Sequence, residues 1–161
     1  MDQFITPSLD YVALSPMIVV GLAAIISVLV EAFAPRSARR FIQLVLVFAS
    51  LIGALILVVM NSSVRALTGD GSVAFDGPGW LLQGTILVLA ILGAMLMAER
   101  TLDPLGDAFA PRASALPGSE DEKQFTARGW MQTEIWPFLL FAVLGMLLFV
   151  VSNDLLIMFV A

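Results

Sequence analysis

Four long stretches of this 161-residue chain run almost without charge, and they constrain the fold more than any other feature. A bilayer's hydrocarbon core is about 30 Å thick and an α-helix rises about 1.5 Å per residue, so roughly 20 apolar residues cross it. Stretches 16–34, 41–60, 80–98 and 135–151 meet that requirement or come close to it. They are too long for strands and lack the alternation of a membrane barrel. The expected fold is therefore all-α and membrane-embedded, a polytopic bundle of four spanning helices plus the start of a fifth. Pro16 is placed in the first turn of helix 1, where a missing N–H does no harm. Thr133 is expected to cap helix 4, with Pro137 in its first turn.

After helix 4, Ser152, Asn153 and Asp154 form a short polar turn suited to capping a new helix, and the apolar residues Leu155 to Ala161 follow. An apolar segment over 154–161 covers only part of a span, so the chain reads as the beginning of a longer membrane protein. Ala32-Phe33-Ala34 has the form of a signal-peptidase site. However, residues 1–15 hold Asp2 and Asp10 and no Lys or Arg, which is the wrong charge order for a signal peptide. The first apolar run is a retained helix.

The eight Lys and Arg residues are unevenly placed. Arg36, Arg39 and Arg40 follow helix 1, and Arg100, Arg112, Lys123 and Arg128 follow helix 3. Arg65 alone lies in the connection after helix 2. By the positive-inside rule the amino terminus is outside, and loops 35–40 and 99–134 are cytoplasmic. Trp80, Trp130 and Trp136 fall at or near helix ends, where interfacial aromatics belong. Residues 61–79, with Gly69, Asp70, Gly71, Asp76, Gly77, Pro78 and Gly79, read as a turn-rich external connection. The acidic middle of the 99–134 loop, around Glu120, Asp121 and Glu122, reads as a solvated linker.

Composition agrees and excludes much. The chain is 60% hydrophobic and 13% charged, with a mean hydropathy of +0.98, against about 45–50% and about 25% in soluble domains. It has no Cys and no His. Disulfides, thiolate metal sites, haem and iron–sulfur ligation and imidazole base chemistry are all excluded. The net charge of −5 argues against a nucleic-acid partner. No residue set supports catalysis, and no cofactor, metal or directly bound soluble substrate is expected.

One acidic residue, Glu31, falls inside an expected span, and an ionisable group at membrane depth is a functional candidate by default. Its place in the last turn of helix 1, with Arg36 and Arg39 close behind, favours interfacial pairing. A part in a proton path is the alternative. Asp154 reads as a cap. Ala49/Gly53 and Ala90/Ala94/Ala98 have the small-residue spacing that permits close helix contact. Gln43 and Gln83 read as interhelical or interfacial hydrogen bonders.

The stretch from Glu134 to Ala161, with its central Leu144-Gly145-Met146 and its Ser152-Asn153-Asp154-Leu155-Leu156 turn, resembles the subunit N family of bacterial NADH–quinone oxidoreductase, respiratory complex I. Val30-Glu31-Ala32-Phe33-Ala34-Pro35-Arg36 and Phe75-Asp76-Gly77 are similar to earlier parts of that family. The resemblance implies an antiporter-like subunit in the membrane arm, in the bacterial cell membrane, with other membrane-arm subunits and the lipid bilayer as partners. It also implies proton translocation coupled to quinone reduction. The family's principal proton-carrying groups, a glutamate in helix 5 and lysines in later helices, have no counterpart among these residues. The resemblance therefore implies a structural, non-catalytic part of a multisubunit oxidoreductase. A subunit of a multisubunit cation/proton antiporter, or a small structural membrane protein complete as written, are the alternatives.

Overall fold

The structure is a computed structural model, which describes residues 9–99 and 133–161. Five helices and one hairpin make up the described part: α1 (Tyr11–Phe33), α2 (Arg36–Asn61), β1 (Ala66–Thr68), β2 (Val73–Phe75), α3 (Gly77–Ala98), α4 (Ile135–Phe149) and α5 (Leu155–Val160). The three helices α1, α2 and α3 are long and apolar enough to cross a membrane, while α4, at 15 residues, is a shorter apolar helix. At 1.5 Å per residue, α4 reaches about 22 Å, short of a full core thickness. Three helices long and apolar enough to span and a shorter fourth therefore stand where four spanning helices are expected. The loop expected at 99–134 lies, apart from its two ends, outside the described residues.

Helix α1 begins at Tyr11, several residues before the expected start, because Asp10 caps it: its carboxylate accepts from the amides of Val12 at 3.0 Å and Ala13 at 3.1 Å. Pro16 consequently lies inside the helix rather than in its first turn. A proline there removes the donor that the Val12 carbonyl would otherwise receive. That carbonyl is satisfied by the Ser15 hydroxyl at 2.7 Å and by Asn61 Nδ2 from the end of α2 at 3.0 Å. The helix break is thereby converted into a tie between α1 and α2.

The expected loop 35–40 is mostly helix, since α2 starts at Arg36 with Pro35 at its cap position. Only Ala34 and Pro35 separate α1 from α2, so the two helices fold back antiparallel. α1 packs against α2 and α4, α2 also packs against α3, and α3 meets α4, closing a four-helix ring. The core is lined by Val20, Ala24, Val47, Leu51, Leu87, Leu140 and Leu147. Outward-facing positions are also apolar, including Leu22, Ile25, Ile56, Leu89 and Phe138. A helix apolar all round is the form suited to lipid. In such a setting, association depends on packing and interhelical hydrogen bonds, because tails and side chains are equally apolar.

Ala90 and Ala94 are buried, as their spacing implies. Ala49, by contrast, is exposed, and a Cβ placed on Gly53 would meet nothing within 4 Å. The inward face of α2 is instead Gln43, Val47, Ser50, Leu51, Ala54 and Val58.

Residues 61–79 hold a β-hairpin that sequence patterning does not reveal. Ala66 pairs with Phe75, Leu67 with Ala74 and Thr68 with Val73. The turn uses positive φ at Gly69, Asp70 and Gly71, a conformation that glycine adopts without penalty and aspartate tolerates. The hairpin sits over one end of the bundle. Thr68 Oγ1 accepts the Asp10 amide at 2.9 Å. The Ala74 amide donates to the Val151 carbonyl at 2.8 Å, and the Asn153 amide to the Ser72 carbonyl at 2.8 Å. Asn153 Nδ2 adds a bond to the Gly71 carbonyl at 2.9 Å. Trp80 stacks on Phe75 with ring centroids 5.0 Å apart, and its Nε1 donates to the Val64 carbonyl at 2.9 Å. The 152–154 turn thus does two jobs: Asn153 clamps the hairpin, and Asp154 caps α5 by accepting the Leu156 amide at 3.1 Å.

Candidate functional site around Glu31

At the end of the bundle opposite the hairpin, two i,i+4 pairs face each other across the tight α1–α2 turn. Ser27 and Glu31 share one face of α1, and Arg39 and Gln43 share one face of α2. Gln43 is fully buried, and both its amide oxygen and its amide nitrogen are hydrogen-bonded on this side. Its Oε1 accepts the Ser27 hydroxyl, and its Nε2 donates to the Ser27 carbonyl at 2.9 Å and to Glu31 Oε2 at 3.2 Å.

Glu31 Oε1 takes two further donors, Arg39 Nη1 at 3.1 Å and Thr133 Oγ1 at 2.6 Å. Arg39 Nε meanwhile donates to the Ala34 carbonyl at 3.0 Å, beside the C-terminal end of α1. A cation there answers both the carboxylate and the negative end of the helix dipole. The Glu31 and Arg39 side chains keep 17% and 23% of their surface accessible, so this pair sits at an interface rather than in a dry core. The same end is tied to α3 by Arg40 Nη2, which donates to the Ala98 carbonyl at 3.3 Å.

Thr133 is not the cap of α4. The residue at the cap position is Glu134, which makes no side-chain capping bond, and Thr133 spends its hydroxyl on Glu31 instead. Three segments therefore meet on one carboxylate: the end of α1, the start of α2 and the approach to α4. The pairing of Ser27 with Gln43 and Glu31 with Arg39 is legible as two i,i+4 spacings around a short turn. The sequence marks Thr133 only as a helix cap, and nothing there ties it to Glu31, 102 positions away.

Deeper than Ser27, the neighbouring buried positions on α1 and α2 are Ala23, Ala24, Val20, Val47 and Leu51, together with Ser50, whose hydroxyl is turned back on its own helix and donates to the Val47 carbonyl at 2.9 Å. The polar chain Thr133–Glu31–Gln43–Ser27 thus meets apolar packing about one turn into the bundle. Among the described residues, no three His, Cys, Asp or Glu side chains gather as a metal site would require. The cluster can hold charge and fix helix ends, but it pairs no nucleophile with a base.

The other sequence candidates are placed as follows. Gln83 is fully buried and donates from Nε2 to the Leu147 carbonyl at 3.1 Å, joining α3 to α4. Asp154 is the cap of α5. Trp80 and Trp136 stand at helix ends but are buried rather than turned to lipid.

These features define a class: a polytopic α-helical membrane protein whose few polar side chains join helices. No family model matches the chain. Curated proteins do. NADH-quinone oxidoreductase subunit N of Parafrankia sp. is 48% identical over 155 residues, covering 96% of this chain and 30% of the relative. The protein of the same name from Salinispora arenicola is 43% identical over 161 residues, covering 100% and 31%. That of Mycobacteroides abscessus is 44% identical over 167 residues, covering 96% and 31%. The resemblance to subunit N, and to its amino-terminal portion, is borne out. The chain spans about 30% of the length of the curated relatives it matches.

Proposed function

We propose that this chain serves as part of a membrane-arm subunit of a proton-translocating NADH:quinone oxidoreductase, contributing to proton translocation coupled to quinone reduction. The observation that carries the proposal is similarity to proteins named NADH-quinone oxidoreductase subunit N over nearly the whole chain, at 43–48% identity in the three relatives above. Other membrane-arm subunits and the lipid bilayer are its partners, and the cell membrane its location. Its helices act as scaffold, without catalysing the redox reaction.

In the proposed topology the amino terminus and the hairpin lie outside, and the Glu31 end faces the cytoplasm. Supporting this, Arg36, Arg39 and Arg40 all lie at the Glu31 end, whereas Arg65 is at the hairpin end. α4 is the fourth span, supported by its packing against α1 and α3. Glu31 is an interfacial clasp rather than a proton carrier. Its three hydrogen-bond donors and the apolar packing beyond Ser27 support that role.

The test is native purification of the tagged full-length protein in mild detergent. Migration in one large assembly with NADH dehydrogenase activity is expected. Recovery with cation/proton antiporter subunits, or alone, contradicts the proposal.

A further inference from the structure

Helix α4 stops where nothing local stops it. Phe149 is followed by Val150, Val151 and Ser152, without the glycine in positive φ that commonly ends a helix. Among the described residues, positive φ occurs only at Gly69, Asp70 and Gly71. Val150, at the cap position, keeps helical angles of φ −72° and ψ −15°. The chain is still winding as it leaves α4, but more tightly. The amides of Val151 and Ser152 donate three residues back, to the carbonyls of Leu148 and Phe149, at 3.3 Å each.

The bond that is missing explains the change. In a continuing α-helix the Val151 amide donates to the Leu147 carbonyl. Here that acceptor is held from α3 by Gln83 Nε2 at 3.1 Å. Gln83 and Leu147 are both 0% exposed, so the contest for this carbonyl lies within the bundle. A carbonyl oxygen can take two donors, yet the Val151 amide has left it for Leu148. We infer that Gln83 is a helix stop supplied by a neighbouring helix: by holding Leu147's carbonyl it ends α4 and keeps 151–153 in reach of the hairpin.

The hairpin depends on that ending. Val73 and Ser152 form an antiparallel bridge, the Ala74 amide donates to the Val151 carbonyl, and the Asn153 amide donates to the Ser72 carbonyl. If α4 wound on through these residues, the Val151 carbonyl would turn along the helix axis and away from Ala74. One buried amide on α3 thus sets both the length of α4 and the docking of the hairpin. This latch goes beyond the proposed function and belongs to the chain itself, whichever assembly carries it.

The experiment compares variants of the full chain in its native membrane assembly, by cryo-electron microscopy and hydrogen exchange. Gln83→Leu removes the donor and keeps an apolar side chain of similar reach. α4 is expected to run on through Val151, whose amide returns to the Leu147 carbonyl. The amides of Ala74 and Asn153 then exchange about 2–10-fold faster, the effect of one lost hydrogen bond. A Gln83→Leu chain whose α4 still ends at Phe149 overturns the inference. Ala74→Pro decides the question if Gln83→Leu does not assemble, because it removes the hairpin's donor to Val151 and leaves Gln83 in place. In that variant α4 is expected to end at Phe149 as before. A lengthened α4 there would make the hairpin the stop and overturn the role given to Gln83.

Discussion

Thr133 donates its hydroxyl to the Glu31 carboxylate at 2.6 Å, joining the approach to α4 to the last turn of α1. Thr133 is 7% exposed, so water does not readily replace it. A hydrogen bond to a charged group contributes about 1.5–3 kcal/mol.

Thr133→Val keeps the shape and removes the donor. The expected result is a lower thermal midpoint of the purified assembly, with Thr133→Ser restoring most of the loss. Equal midpoints for Val and Ser variants would show that the hydroxyl does not hold α4 to α1.

Asn153 clamps the hairpin through its side-chain bond to Gly71, while its backbone bond to Ser72 is independent of the side chain. Asn153→Ala is therefore a mild change, of about 0.5–1.5 kcal/mol. Its signature is local. Hydrogen exchange accelerates at the amides of Ala74 and Asn153, with core helix amides unchanged. Unaltered exchange at both would show that the clamp lies elsewhere.

Gly145 has no room for a side chain. A Cβ there would run into the Ala161 carbonyl oxygen, where α5 passes α4. Gly145→Ala must displace α5, costing about 1–3 kcal/mol as overpacking does. Gly53→Ala is the control, because its Cβ meets open space and alanine favours a helix by about 0.5–1 kcal/mol. The first variant is expected to lower the thermal midpoint and the second to hold or raise it. The reverse order would contradict the packing described.

The bundle was legible because lipid demands length and hydrophobicity, which are local properties. Its details were less so, for identifiable reasons. Pro16 suggests a helix start, yet Asp10 caps the helix earlier, and the carbonyl that Pro16 leaves unpaired finds Asn61 at a distant sequence position. The arginines at 36, 39 and 40 look like loop, since cations oppose a helix N-terminus; the Glu31 carboxylate across the turn compensates Arg39. The strands are three residues each, below the length at which alternation registers. The spacing of Ala49 and Gly53 marks a possible contact face, but α2 turns Ser50 and Ala54 inward instead. Glu31 was identifiable as a charge in an apolar run, while its hold on Thr133 depends on a long-range approach that no local pattern encodes.

The most direct test of the clasp is Glu31→Gln. The amide oxygen can still accept from Thr133 and Arg39, the bond from Gln43 Nε2 is lost because an NH2 stands where Oε2 was, and the amide cannot carry a proton as a carboxylate does. In inverted membrane vesicles, the variant is expected to retain the wild-type ratio of protons moved to NADH oxidised, with Glu31→Ala lowering the amount of assembled complex. An assembled Glu31→Gln complex that oxidises NADH normally yet fails to acidify the vesicles would contradict the account and make Glu31 a proton carrier.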